Sequence, residues 1–224
     1  VTTTPDADLA CLYRETRERL CALVLGLDGA HLATPVPACP GWSVSDVMYH
    51  LLGVVEDVMA GRLTRPPTDA DTAVQVARLR GTPLPAVVDA WGELAPAFEE
   101  RIGGGAIWPA VFDVASHEQD IRGALGAPGA RDSPALRAAA ERLVALMRPS
   151  VAVRVVCEDF EVTVGPESGA GEELVLRTTR FEAFRWRLGR RSRAQLRGLD
   201  WSGDPSTVIE QLCVMGPSPT DIVE

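Results

Sequence analysis

The chain has only three histidines, and two of them follow a carboxylate by four residues: Asp46 before His50, and Asp113 before His117. Residues four apart share one face of a helix, so Asp113 and His117 can aim an oxygen and a nitrogen at one point. A third donor has to come from another helix, and His50 is the histidine placed to supply it. Two imidazoles and a carboxylate, with further positions open, suit a catalytic divalent metal. A D-x-x-x-H pair also arises as a plain solvated ion pair, and Asp46 has a second role as the third residue of a helix capping box. Spacing alone leaves both readings standing. His31 has no acidic or cysteine neighbour at ligand spacing and reads as a surface residue.

Other chemistry is narrowed by composition. All 22 basic residues are arginine, and the chain has no lysine and no asparagine. A phosphate-cradling loop lysine and a Schiff-base lysine are therefore excluded. The net charge of −9 is spread along the chain, with 13 arginines against 19 acidic residues up to position 150 and 9 against 12 beyond it. With no basic arm, nucleic acid is not the expected partner. The five cysteines (Cys11, Cys21, Cys39, Cys157, Cys213) form no C-x-x-C pair, which suits a reducing, cytoplasmic compartment. Cys39 is a soft donor beside a helix start, although packing in a tight turn is its simpler reading. Eight arginines lie between Arg177 and Arg197, and such a run is mostly a solvated face. From it, Arg187, Arg190 and Arg191 are the candidates for an acidic substrate or the carboxylates of a thiol cofactor. No apolar stretch exceeds eight residues (Leu20 to Leu27), so no membrane span is expected.

The elements that must position these residues fall into two groups. Leu9, Leu12, Leu20, Val24 and Leu27 recur at helical spacing. Ser43, with Asp46 three residues later, is a capping box that starts a second helix, and Trp42 and Val47 stand where a hydrophobic staple would pack. A third helix is predicted over 83–101 and ends at Gly103-Gly104-Gly105. A fourth runs from Pro109 to about Leu125, and a fifth from Ser133 to Met147. Segments 35–40, 64–68 and 126–134 read as loops. Beyond Val151 the period shortens: Val151–Val156, Phe160–Val164 and Leu174–Leu176 read as strands, with a turn-rich stretch from Gly165 to Gly171. Phe181–Leu188 and Pro205–Cys213 read as helices. The fold class is therefore α+β, with an up-and-down helical bundle over 1–149 and a small α+β domain over 150–224.

Cys39-Pro40-Gly41-Trp42-Ser43-Val44-Ser45-Asp46-Val47-Met48-Tyr49-His50-Leu51 resembles the signature of the mycothiol-dependent maleylpyruvate isomerase family of DinB-like bundles. Asp113-Val-Ala-Ser-His117-Glu-Gln-Asp120-Ile121 is similar to that family's second motif. Leu188-Gly189-Arg190-Arg191-Ser192 and Gly203-Asp204-Pro205 are similar to its C-terminal elements. The resemblance implies a four-helix bundle that holds zinc, or another divalent ion, on His50, Asp113 and His117. It also implies a C-terminal domain like the sterol carriers, with mycothiol as cosubstrate. Asp113 stands where the isomerase proper carries glutamate, and Gln119 where relatives often carry tryptophan.

The reading is an enzyme that uses a divalent metal and a low-molecular-weight thiol for isomerisation or S-transfer on a small electrophile. In that reading Arg190 serves catalysis, Arg187 and Arg191 bind the cofactor, and the oligomeric state is open. The alternatives are a non-catalytic protein that binds metal or a small ligand, and a metal-dependent hydrolase on the same bundle.

Overall fold

The computed structural model describes residues 8–105, 107–166 and 173–224. By packing, it divides into a helical unit that ends at Gly129 and a mixed unit from Ala130 to Val223. The expected division at 149/150 followed the change of hydrophobic period. Helix α7 (Pro134–Ala145), however, packs on α8 (Arg180–Arg187) and on strand β2 (Glu161–Val164), and so groups with the second unit.

The helical unit is a four-helix bundle of α1 (Leu9–Leu25), α3 (Val44–Met59), α5 (Leu84–Gly103) and α6 (Pro109–Ala124). Around the bundle the order is α1, α5, α3, α6, with each helix packed on the next and α6 closing on α1. Side-chain pairs fix the directions. Arg14 meets Glu99 while Ala10 lies beside Gly103, so α1 and α5 are antiparallel. Tyr49 donates to the Thr82 carbonyl and Arg101 to that of Val58, so α3 and α5 run parallel. Arg19 grips Glu118 while Tyr13 senses the charge of Asp113, so α1 and α6 run parallel. The directions are up, down, down, up. Strict alternation is interrupted where α4 (Asp69–Leu79) carries the chain back along α3 before α5 begins.

Local signals explain the helix ends. The Ser43–Asp46 capping box is formed in both directions, and a second box, Thr68–Asp71, starts α4. The bundle core is built on fully buried Trp91, Phe98, Leu20, Met48, Leu52, Ile102 and Ile121. Each such side chain contributes about 1.5–3 kcal/mol when removed from water. Trp91 donates its indole N–H to the buried Tyr13 hydroxyl at 2.9 Å, so the largest core ring keeps its polar atom satisfied.

The second unit holds a four-stranded sheet in the order β2-β1-β3-β4, with β1 at Val153–Val156, β3 at Leu174–Arg177 and β4 at Asp200–Trp201. Strand β1 pairs antiparallel to β2 and parallel to β3, and β3 pairs antiparallel to β4. Val153 and Val155 point into a core shared with Val144, Met147, Leu176, Ala183 and Trp186. On the other face Arg154 bridges Glu161 and Glu173. The three strands read from the sequence are present within a residue or two. Part of the expected turn-rich segment, residues 167–171, lies outside the described residues.

The helix expected over Pro205–Cys213 is replaced by a single 3₁₀ turn at Ile209–Gln211. There the Leu212 carbonyl accepts from the Arg187 guanidinium and Val214 N–H donates to the Arg187 carbonyl. Those bonds draw the chain onto the end of α8 and out of helical geometry. The short helix α9 (Arg193–Arg197) completes the unit.

Candidate functional site

His50 lies midway along α3, and Asp113 and His117 occupy successive turns of α6, the helix packed beside it. His50 Nε2 is 3.7 Å from Asp113 Oδ2, and His117 Nε2 is 3.5 Å from Asp113 Oδ1. The imidazole rings meet edge to face with centroids 5.2 Å apart. One donor atom from each of the three residues falls within 4.8 Å of the other two. A tetrahedral zinc with bonds of about 2.0–2.1 Å separates its nitrogen and oxygen donors by about 3.4 Å, close to these spacings. The three residues therefore fit a divalent cation.

What surrounds the histidines strengthens that fit. Asp120 Oδ2 lies 2.9 Å from His117 Nδ1. Gln75 Oε1 lies 3.1 Å from His50 Nδ1, while the Gln75 amide donates to Asp57 at 2.9 Å. Both outer partners are acceptors, so with a cation between the Nε2 atoms and Asp113 each Nδ1 would keep the ring proton and each Nε2 would offer its lone pair. Trp42 covers His50, with ring centroids 5.2 Å apart. The histidine side chains are 4% and 8% exposed, against 36% for Asp113, so solvent reaches the cluster from the carboxylate side.

Each partner is delivered by a recognisable local device. Cys39-Pro40-Gly41-Trp42 is a tight turn closed from Trp42 N–H to the Cys39 carbonyl, with Gly41 at φ +83°. Proline second and glycine third is the composition such a turn requires. Bonds from Val36 N–H to the Trp42 carbonyl and from Val44 N–H to the Thr34 carbonyl pin the loop against the start of α3. Gln75 reaches His50 because α4 crosses α3 at Gly53, where a Cβ would stand 2.6 Å from that of Gln75.

Cys39 is half-buried, with Sγ 3.5 Å from Asp120 Oδ2 and 3.8 Å from His117 Nδ1. Asp46 does not join the cluster. Burial alone would raise its carboxyl, but hydrogen bonds from Ser43 and the Arg80 guanidinium outweigh that and hold it below its ordinary range. His31 is exposed and pairs with Asp28 on the short helix α2 (Gly29–Leu32). Gln119 is buried and donates to the Gly129 carbonyl, anchoring the loop after α6.

The arginines read as ligand-binding residues have partners within the second unit. Arg187 is buried and donates to the carbonyls of Leu143 and Leu212, and burial lowers its guanidinium to about 10. Arg191 forms a two-pronged ion pair with Glu182 at 2.6 and 2.7 Å. Arg190, half-buried, donates to the Leu188 carbonyl at 2.7 Å. Two more of the run are similarly engaged, Arg180 with Asp159 and Arg193 with Glu210.

The family model described as the mycothiol maleylpyruvate isomerase N-terminal domain matches residues 13–182. Two crystal structures share the fold at 13% identity, each covering 95% of this chain and 94% of its own. One is a mutant form of the mycothiol-dependent maleylpyruvate isomerase, with a TM-score of 0.57; the other is that isomerase, with a TM-score of 0.52. No curated protein matches the chain.

Proposed function

This chain belongs to the mycothiol maleylpyruvate isomerase family, and from that premise we propose that it catalyses a thiol-dependent isomerisation on a small, electrophilic unsaturated substrate. Mycothiol is the proposed thiol, and His50, Asp113 and His117 the proposed ligands of a divalent ion, zinc first among candidates. The observation that carries the reading is the pair of histidines whose Nδ1 atoms are engaged by Asp120 and Gln75, leaving both Nε2 atoms facing Asp113. His50, Asp113 and His117 would hold such an ion, and the chemistry it would supply there is Lewis acidity that favours the thiolate form of a thiol at neutral pH.

The chain's own residues do the rest. Asp120 and the Gln75–Asp57 relay fix the two imidazoles before any ligand arrives, which removes a reorganisation cost from the reaction. Trp42 closes one side of His50 and leaves the approach at Asp113. Thiolate addition to a conjugated cis double bond leaves a rotatable single bond, and expulsion of the same thiolate after rotation gives the trans isomer. No atom is gained or lost, and the thiol is regenerated. Among the described residues no helix is long and apolar enough to cross a membrane. A reducing, cytoplasmic setting fits five free cysteines and a thiol cosubstrate.

Arg190 is the arginine proposed to meet an anionic thiol or substrate. Arg187 and Arg191, the sequence candidates for cofactor binding, have geometry that favours holding the second unit together.

The test is metal content followed by turnover of a cis-enoyl acid with and without mycothiol. About one ion per chain, lost in His117→Ala with helical circular dichroism retained, and turnover that requires the thiol are the expected results. Isomerisation that proceeds equally well without thiol would overturn the thiol dependence. A wild-type chain that takes up no metal would overturn it.

A further inference from the structure

Two groups of three donors occur among the described residues, and they share His117. The second consists of Cys39, Asp120 and the opposite nitrogen of the same ring. Its edges are 2.9 Å from Nδ1 to Asp120 Oδ2, 3.5 Å from Oδ2 to Cys39 Sγ and 3.8 Å from Sγ to Nδ1. A tetrahedral ion with a metal–sulfur bond of about 2.3 Å and metal–nitrogen and metal–oxygen bonds of about 2.0–2.1 Å separates these donors by about 3.4–3.6 Å. A movement of a few tenths of an ångström therefore completes the set. The Pro40–Gly41 turn fixes the backbone that carries the sulfur, while Asp120 and His117 lie one helical turn apart on α6.

We propose that Cys39, Asp120 and His117 Nδ1 form a second cation position, selective for thiophilic divalent ions and alternative to the one at His50 and Asp113. Selectivity follows from the thiolate, which favours soft and borderline ions. Exclusivity follows from the ring. A neutral imidazole has one nitrogen lone pair to give, so an ion at Nδ1 sends the ring proton to Nε2, where the Asp113 carboxylate lies 3.5 Å away. Binding there releases the Cys39 thiol proton to solvent and removes Asp120 from its orienting role. The two positions are two tautomers of one histidine, and an ion at the second inactivates the first. The second position stands on its own donors; only the competition rests on the proposed function.

Cobalt(II) titrations of variants test this, because cobalt bound to thiolate has a near-ultraviolet charge-transfer band that nitrogen and oxygen donors lack. His50→Ala and Asp113→Asn each break the first donor set, and Asp113, at 36% side-chain exposure, is an edge position that tolerates change. Both variants are expected to bind one cobalt with the band present, and added Cys39→Ser to remove the band and weaken binding at least tenfold. Cys39→Ser alone is expected to bind one cobalt without the band. Absence of the band from both His50→Ala and Asp113→Asn, or its survival in Cys39→Ser, would overturn the proposal. Retention of the band in His50→Ala while Cys39→Ser binds no cobalt would support the second position and remove the first.

Discussion

Gly53→Ala tests whether the site depends on the crossing of α3 and α4. A methyl at residue 53 would stand 2.6 Å from Gln75 Cβ, 2.9 Å from its Cγ and 3.3 Å from its Cα. One of those atoms is backbone, so a rotamer change at Gln75 cannot relieve the clash and α4 itself must move. Overpacking of this kind costs about 1–3 kcal/mol, and the better helix propensity of alanine offsets up to about 1 kcal/mol. Gly92→Ala supplies the control. Gly92 lies in α5, exposed, with no neighbour within 4 Å of an added Cβ. That substitution is expected to raise stability by up to about 1 kcal/mol.

The difference between the two variants in urea unfolding of metal-free protein therefore isolates the clash at about 1–3 kcal/mol. The functional consequence is separate. Moving α4 withdraws Gln75 from His50 Nδ1 and from Asp57, and loss of such an outer partner lowers metal affinity about 10–100-fold. Competition against a chelator measures that loss. If Gly53→Ala gains stability as Gly92→Ala does and keeps its metal affinity, the crossing is loose and Gln75 does not set the His50 tautomer.

Asp120→Asn should lower metal affinity about 10–100-fold at unchanged stoichiometry, because it weakens the acceptor on His117 without removing a donor of the first set; equilibrium dialysis checks both quantities. Tyr13→Phe should cost about 1–3 kcal/mol in thermal or urea unfolding, since it strands the buried Trp91 N–H rather than removing a pair. Burial would raise the Asp57 carboxyl, yet hydrogen bonds from Gln75 and Arg62 and the charge of Arg78 hold it below its ordinary range. A carboxylate lowered in the folded state adds stability above its unfolded pKa of about 3.9, and that stability is lost as pH falls through its folded value. Asp57→Asn should therefore be less stable than wild type at neutral pH and show a shallower loss below about pH 4 in acid titrations followed by circular dichroism.

How much of this was legible in the sequence depended on whether the signal was local. The Ser43–Asp46 box, Pro109 at a helix start and the glycines after Ile102 each act within a few residues, and each placed a helix end correctly. The i, i+4 spacing of Asp113 and His117 needed only the helix. His50 followed because few histidines were available. Helix α4 was missed: six of its eleven residues are apolar but small or exposed for the most part, only Val76 and Gln75 are buried, and its clearest announcement is the Thr68–Asp71 box. With it went Gln75, which acts on a residue 25 positions earlier through a crossing that only Gly53 permits. Pro205–Cys213 failed in the opposite sense. Its apolar spacing is helical, but Arg187 claims the Leu212 carbonyl from elsewhere in the fold. The partners of the arginine run were out of reach of the sequence for the same reason, because Leu143, Glu182 and Glu210 are brought in by folding.

The arrangement around the cluster also bears on the proposed role of an aspartate at position 113. Its two oxygens face different histidines, Oδ1 toward His117 and Oδ2 toward His50, at 3.5 and 3.7 Å. A carboxylate that spans two imidazoles needs the rings held at a fixed separation. Asp120 and Gln75 hold the rings from behind, at 2.9 and 3.1 Å, while the carboxylate lies between them. The short arm is thus matched to a rigid pair of histidines. Because the same carboxylate is the one exposed member of the set, a ligand arriving from solvent meets it first and leaves the buried imidazoles in place. Rigidity behind the rings and access in front of the carboxylate are separate properties here, carried by separate residues. Substitutions at Gln75 or Asp120 should therefore change how tightly an ion is held, whereas substitutions at Asp113 should also change what can approach it.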